Sequence, residues 1–330
     1  MAGAVPAHGH PFGISIEKVA EARKLLQEIV PQSRVLESSF LSAATSAKVF
    51  LKLEAEGPTG SFKVRAAYYA IHTRLQHGAI RGVVTSSTGN HGAATAFAAK
   101  RLGLPARIYL PQNPNPAKRA RIAQQGAEII ESGVFLEQSR EHAVRFAEES
   151  GWFNLVDGVD ADMLPGTATI GCEIIEQLPA VDAIFIPVGD STLIRGLAFA
   201  AKALKPQVRI VGVQAERAPA YALAFAKGHG LSTASSDTIA DGLAARDALD
   251  DNVRQIKTLV DEFVLVSEEE MLTAVRDLYV KEKVIAEPAG SATTAALRKT
   301  AKSYQGQTVV LLVTGANIPE DLLETALRLP

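Results

Sequence analysis

The sequence of 330 residues has a single cysteine, Cys172, which excludes an intrachain disulfide and a cysteine-rich metal site. Excess charge is also lacking: the net charge of −2 gives no reason to expect nucleic acid or an anionic membrane as partner. No apolar run reaches membrane-spanning length. Residues 1–15 lack a basic stretch followed by an apolar one, so secretion is not expected. We therefore expect a cytoplasmic globular protein.

What is present is the pattern of a folded α/β protein. Hydrophobic residues make up 47% of the chain, and the length suffices for two lobes with separate cores. Predicted strands and helices alternate, which is typical of parallel sheets covered by helices. The predicted strands are 49–54, 82–85, 106–110, 127–130, 183–188, 208–213, 263–266 and 308–314. The predicted helices are 15–30, 62–76, 92–102, 116–125, 136–150, 167–178, 193–203, 218–227, 268–282 and 290–302.

One lysine stands in a setting that suits covalent chemistry. Gly60, Ser61 and Phe62 precede Lys63 at the start of a predicted helix. A lysine amine forms a Schiff base with a carbonyl and becomes nucleophilic where its charge is disfavoured. The alternative is a solvated lysine on a helix face, as most lysines are.

A second segment opens the next predicted helix with small polar residues. It consists of Ser87, Thr88, Gly89, Asn90 and His91. Such a loop offers N–H groups, hydroxyls and the positive end of the helix dipole to an anion. The same donors also cap the helix, so the two interpretations coexist. Together with the lysine, this loop indicates a pyridoxal phosphate enzyme that acts on an amino acid.

These two segments resemble the fold-type II pyridoxal phosphate enzymes, in particular their serine/threonine dehydratase and serine racemase branch. The likeness covers the chain from about Arg34 to Asn317. Later segments keep the family's order: Gly166 to Glu173, Pro187-Val188-Gly189, Thr238 to Gly242, Ala286-Glu287-Pro288 and Thr314 to Asn317. The resemblance implies an α/β fold of two parallel-sheet three-layer domains, as in the β subunit of tryptophan synthase. It also implies a small domain at 48–157 inserted into a large cofactor-binding domain formed by 1–47 and 158–330.

The resemblance implies roles for individual residues. Lys63 would carry pyridoxal 5'-phosphate as a Schiff base and then act as the base for the substrate Cα proton. The loop that binds the substrate carboxylate would be Ser87, Thr88, Gly89, Asn90 and His91. Asn90 would also contact the ring oxygen of the cofactor, whereas a structural role is the alternative for His91.

The cofactor phosphate would bind the loop between the strand at 183–188 and the next helix. This loop consists of Gly189, Asp190, Ser191, Thr192 and Leu193. The family has a run of glycines here, of which this chain keeps only Gly189. Asp190 brings a negative charge close to a dianion, and Arg195 is a candidate partner for it.

Three further residues complete the implied site. Thr314 would place its hydroxyl at the pyridine nitrogen, which favours chemistry at Cβ over transamination. Glu287 would lie near the ring, or else serve only as a carboxylate at a helix start. Gly242 would also contact the cofactor.

The implied activity is β-elimination of water from a β-hydroxy-α-amino acid, which gives a 2-oxo acid and ammonia. L-threonine and L-serine are the default substrates, and 3-hydroxyaspartate or phenylserine stays open. The alternatives are a β-replacement synthase of the cysteine synthase type and an amino-acid racemase, which Thr88 disfavours because the racemase pattern has serine there. No metal is expected at 214–220, because Gln214 and Ala220 stand where relatives have carboxylates.

Two predictions concern other classes and assembly. A nucleotide-binding module is disfavoured because no Gly-x-Gly-x-x-Gly fingerprint follows a strand, and an inactive regulatory homologue is disfavoured by the intact Lys63. The resemblance implies a homodimer, and no C-terminal regulatory domain is expected because the chain stops at Pro330.

Overall fold

The larger of two main sheets has six strands, and the structure, a computed structural model, describes residues 13–329. In spatial order the strands are β1 (Val35–Glu37), β2 (Lys48–Leu53), β12 (Thr308–Val313), β7 (Ala183–Pro187), β8 (Arg209–Ala215) and β11 (Glu262–Val266). All neighbouring strands are parallel except β1, which pairs antiparallel with β2. The interior strands are almost wholly apolar, as expected for a parallel sheet buried on both faces.

The smaller sheet has four parallel strands drawn from one contiguous part of the chain. In spatial order they are β5 (Glu128–Glu131), β4 (Ala106–Leu110), β3 (Val83–Ser86) and β6 (Phe153–Asn154). A separate antiparallel pair consists of β9 (Leu231–Ser232) and β10 (Asp247–Ala248).

Helices cover the sheets and fill the connections between strands. Those before residue 160 are α1 (Ile16–Leu26), α2 (Ser39–Thr45), α3 (Lys63–Gln76), α4 (Asn90–Arg101), α5 (Pro116–Gln124) and α6 (Leu136–Ser150). Those after it are α7 (Leu164–Gln177), α8 (Thr192–Leu204), α9 (Ala220–Lys227), α10 (Asp250–Leu259), α11 (Glu268–Asp277), α12 (Pro288–Thr300) and α13 (Glu320–Leu327).

The predicted α/β fold with parallel sheets is confirmed, and most elements begin and end within a few residues of their predicted bounds. One difference is the helix predicted over 268–282, which ends at Asp277 and continues as a π-helical turn, Leu278–Glu282. That turn is closed by Lys283 in the left-handed conformation. The expectation about residues 1–15 falls mainly outside the described part of the chain.

Residues 48–53 bear on where the small domain begins. The sequence-based boundary assigns them to the small domain, but they form β2, which pairs with β1 and β12 in the six-stranded sheet. Because β2 pairs with a strand on each side, it is an integral part of the six-stranded sheet. We propose that the small domain begins after β2, and that the rest of the 48–157 division stands as predicted.

A network of buried charges joins α3 to the larger sheet. Arg65 donates to Glu54 at 2.9 and 3.0 Å and to Glu173 at 2.6 and 3.1 Å. Lys52 donates to Glu173 at 2.6 Å, and Ser33 Oγ donates to Glu54 at 2.6 Å. The charges are therefore paired and hydrogen-bonded, which is what makes their burial tolerable. The network fixes the first turn of α3, where Lys63 lies two residues before Arg65.

Candidate active site

Lys63 is the first residue of α3, at the carboxyl end of β2. The chain before it is tied to the end of β12: Phe62 N–H donates to the Thr314 carbonyl at 3.2 Å, and Ser61 forms a β-bridge with Gly315. Gly60 has a φ of +70°, which suits glycine and lets the chain turn into the helix. These contacts bring Lys63 and Thr314 to the same edge of the larger sheet.

Lys63 forms an ion pair with Asp157, which follows β6 of the smaller sheet. The Asp157 Oδ1 atom also accepts hydrogen bonds from Thr192 Oγ1 at 2.7 Å and from Gly158 N–H at 2.9 Å. Burial alone would raise the pKa of Asp157. The nearby cation of Lys63, followed by His91 and by the side-chain hydrogen bonds from Lys63 and Thr192, instead holds that pKa well below its usual range. Asp157 is therefore ionised at neutral pH, and it joins the carboxyl ends of the two sheets.

Asn90 begins α4 and connects two segments of the larger unit. Its Nδ2 donates to Glu287 Oε1 at 2.7 Å, and its Oδ1 accepts from Asn317 Nδ2 at 2.6 Å. Glu287 is the residue before α12, and its N–H donates to the Gly315 carbonyl at 2.9 Å. The predicted neighbours Asn90, Glu287 and Thr314 are thus brought together at one place.

The remaining residues of the predicted carboxylate loop lie around the start of α4. Ser87, Thr88 and Gly89 are half-buried, and the Ser87 Oγ accepts the Gly89 N–H at 3.4 Å. His91 is buried, and its Nε2 lies 3.1 Å from the Leu155 carbonyl oxygen. Burial lowers the pKa of His91, so its imidazole is neutral at pH 7.

The predicted phosphate loop forms the tight turn between β7 and α8. Ser191 has a φ of +73°, an uncommon value for a non-glycine residue, and is 3% exposed. A side chain at Gly189 would collide with the carbonyl oxygen of Gly242, which explains why glycine is kept there. Thr192 and Leu193 are buried at the first turn of α8.

Asp190 does not pair with Arg195, which corrects the suggested partnership. Arg195 Nη2 donates to the Gly158 carbonyl at 3.0 Å, and its Nη1 lies 3.4 Å from Gln255 Oε1. Burial, together with the negative charge of Asp157, raises the pKa of Asp190 to about 6. Its charge is therefore reduced by proton uptake in mildly acidic solution.

Unpaired polar atoms indicate that this cluster is built to hold a polar group. Among residues 13–329, seven buried side-chain nitrogen or oxygen atoms have no hydrogen-bond partner, and six lie on the segments described above. They belong to Thr59, Ser61, Ser86, His91, Ser191 and Arg195. Unpaired buried donors cost free energy, so their concentration here fits a phosphorylated, polar cofactor.

Comparison with known proteins gives the class. The family model for pyridoxal-phosphate dependent enzymes matches residues 26–315, and the chain belongs to that family. The cofactor is therefore pyridoxal phosphate, as the sequence predicted.

The relatives include proteins of the predicted branch. The chain is 34% identical to the L-threonine ammonia-lyase of Thermotoga maritima over 94% of this chain and 77% of that protein. It is 34% identical to the catabolic L-threonine dehydratase of Staphylococcus aureus over 92% of this chain and 89% of that protein. The structure of maize serine racemase matches with a TM-score of 0.89 at 30% identity, over 96% of this chain and 97% of the other. The processed threonine deaminase isoform 2 of Solanum lycopersicum matches with a TM-score of 0.89 at 26% identity, over 99% and 93%.

The ionisation of Glu287 leads to a prediction for the cofactor-free protein. Burial raises the pKa of Glu287 to about 7 from its usual 4.5, although the hydrogen bond from Asn90 opposes the shift. A raised carboxyl pKa means that stability falls as pH rises through this range. Glu287→Gln should therefore stabilise the protein relative to the parent at pH 8, by about 3 kcal/mol, and much less at pH 5. Urea unfolding at both pH values measures this.

The control for this measurement is Glu324→Gln, which removes a surface carboxylate that pairs with Arg328. It should change the free energy of unfolding by less than about 0.5 kcal/mol at either pH. An equal effect of Glu287→Gln at pH 5 and pH 8 would show that Glu287 does not titrate in this window.

Proposed function

We propose that the protein is a pyridoxal phosphate-dependent ammonia-lyase. It removes water from a β-hydroxy-α-amino acid, L-threonine or L-serine in the first instance, and yields a 2-oxo acid and ammonia. The observation that carries the proposal is the convergence of Lys63, Asn90 and Thr314 at the facing ends of two parallel sheets. The names of the similar proteins, which include threonine ammonia-lyase and threonine deaminase, support the reaction class.

The lysine and the loop at the start of α4 would act on the two ends of the substrate. The bound cofactor supplies an electron sink for the pair left on Cα when its proton is removed. The Lys63 amine would carry the cofactor and then take the Cα proton. Backbone N–H groups and hydroxyls of Ser87, Thr88 and Gly89 would hold the substrate carboxylate, aided by the helix dipole.

Other residues would orient the cofactor. The turn at 189–193 would bind the phosphate through its N–H groups and the unpaired Ser191 hydroxyl. Asn90 would contact the ring oxygen, with Glu287 and Gly242 beside the ring. The Thr314 hydroxyl would donate a hydrogen bond to the pyridine nitrogen. Because a threonine hydroxyl is uncharged, it would not hold a proton on the ring nitrogen as an aspartate does, which favours elimination over transamination.

A substrate panel tests the proposal. The holoenzyme should release 2-oxo acid and ammonia in equal amounts from at least one of L-serine, L-threonine, 3-hydroxyaspartate and 3-phenylserine. Dialysis against hydroxylamine to remove the cofactor should abolish release, and added pyridoxal phosphate should restore it. A cofactor-loaded protein that releases neither product from any of the four would overturn the dehydratase assignment.

Racemisation is the second candidate, because maize serine racemase is a structural neighbour. A racemase needs an acid or base on each face of Cα. Thr88 stands where the racemase pattern has serine, and its β-branch restricts the hydroxyl to fewer rotamers. Chiral analysis of recovered serine separates the two reactions. Inversion faster than 2-oxo acid release would favour racemase, and cysteine formation from O-acetylserine and sulfide would favour the β-replacement alternative.

Magnesium should have no effect on turnover. Gln214 is buried and structural: it donates to the Val188 carbonyl at 3.1 Å and accepts the Ala222 N–H at 2.8 Å. Glu216 pairs with Lys299 at 3.0 Å. Neither offers a hard cation the several oxygen ligands it needs. Turnover with magnesium and with excess EDTA should agree within about 20%, whereas a severalfold difference would contradict this prediction.

We further propose a cytoplasmic homodimer. The family resemblance supports the dimer, and sedimentation equilibrium of the holoenzyme tests it. Cys172 is buried and is the only cysteine, so the protein has no disulfide that requires an oxidising compartment. Within residues 13–329, no helix is both long enough and apolar enough to cross a membrane.

A further inference from the structure

Asp157 is the carboxylate that contacts Lys63 in the described part of the chain, and no sequence motif marked it. The two side chains are 9% and 15% exposed, so the pair is largely shielded from water. Both Asp157 oxygens are engaged: Oδ2 by Lys63, and Oδ1 by Thr192 and Gly158. An ionised carboxylate held in this way is a fixed negative charge next to one particular amine.

We propose that Asp157 is a catalytic residue, the counter-ion that stabilises the Lys63 ammonium formed when the substrate Cα proton is removed. In that step the Cα–H bond breaks, an N–H bond forms on Lys63, and the electron pair stays with the substrate. The amine is neutral before the step and positively charged after it. Asp157 therefore stabilises the charged ammonium present after the transfer more than the neutral amine present before it. This difference lowers the free-energy barrier to proton transfer. This inference rests on the proposed function of Lys63 as a base.

Arg195 and Asn252 position Asp157 by binding the residue that follows it, Gly158. The Gly158 carbonyl accepts hydrogen bonds from Arg195 Nη2 at 3.0 Å and from Asn252 Nδ2 at 2.9 Å. Both donors are about 4% exposed and lie on different helices. Since Gly158 N–H donates to Asp157, these contacts fix the turn that aims the carboxylate at Lys63. Asn252 is accordingly a positioning residue.

Exchange of the Cα hydrogen of L-alanine in D₂O isolates the proton step, because alanine has no β-leaving group. Asp157→Asn should slow this exchange about 100-fold in protein that still binds cofactor. Asn252→Leu should slow it about tenfold at unchanged cofactor content. The control is Asp162→Asn, which removes a carboxylate paired with Lys18 near the surface and should exchange at the parent rate.

The second readout is the isotope effect on kcat for the best substrate of the panel, deuterated at Cα. It should increase in Asp157→Asn, because proton removal then limits turnover more strongly. Exchange at the parent rate with an unchanged isotope effect would overturn the counter-ion role. The parent enzyme could exchange the Cα hydrogen of L-alanine and yet eliminate water from no substrate. That result would refute the proposed function, and the exchange rates of the variants would then decide the role of Asp157.

Discussion

Lys63→Ala should lower 2-oxo acid formation by on the order of 10⁴-fold or more, because one side chain both carries the cofactor and moves the Cα proton. Borohydride reduction should fix the cofactor on the parent protein as a phosphopyridoxyl group, and mass spectrometry should find this group on the parent and not on the variant. This is the largest effect on activity that the site predicts.

Lys24→Ala is the matched control, since Lys24 is exposed on α1. It should keep the activity and the borohydride adduct of the parent. A reduced adduct on Lys63→Ala would place the covalent bond on another lysine. Residual turnover at one tenth of the parent rate would exclude Lys63 as the essential base.

Arg65→Met should have the largest effect on stability. It leaves Glu54 and Glu173 buried in a network that has lost its central cation, although Lys52 still pairs with Glu173. Breaking a buried ion pair by removing one partner typically costs about 3–5 kcal/mol. Urea unfolding of the cofactor-free protein at pH 7 measures the loss.

Arg34→Met provides the comparison, because Arg34 also forms a close pair with a carboxylate, Glu56, but is 63% exposed. Its loss should cost at most about 1 kcal/mol. Equal losses for the two variants would show that burial does not decide the contribution of the Arg65 network.

The fold was largely predictable because its interior strands are apolar and its helices have clear boundaries. Val309–Val313 and Ala183–Pro187 are continuous apolar runs with turn residues beyond them. Two kinds of element were missed. Val35–Glu37 is too short to show alternation. α10 carries acids in its first turn and apolar residues at helical spacing, Val253, Ile256 and Leu259, so its pattern was sufficient to predict it.

The candidate site was predictable only where a local motif marks it. Lys63 and the loop at 87–91 follow strands within a few residues, so their sequence context indicates their chemistry. Asp157 follows β6, a strand of only two residues. It contacts Lys63 only because the carboxyl ends of the two sheets lie close together. The sequence feature that could have indicated Asp157 is an acidic residue that follows a parallel strand. The contacts of Arg195 likewise depend on the packing of α8 against α10, which no local pattern reports.

The place of β12 in the larger sheet bears on how the chain folds as it leaves the ribosome. Thr308–Val313 lies between β2 and β7, so the centre of the six-stranded sheet cannot form until nearly the whole chain has been synthesised. The four-stranded sheet needs only residues 83–154. Nascent chains should therefore form the smaller sheet early. Until β12 has been synthesised, β1 and β2 cannot join the rest of the larger sheet, and their apolar surface is open to chaperones.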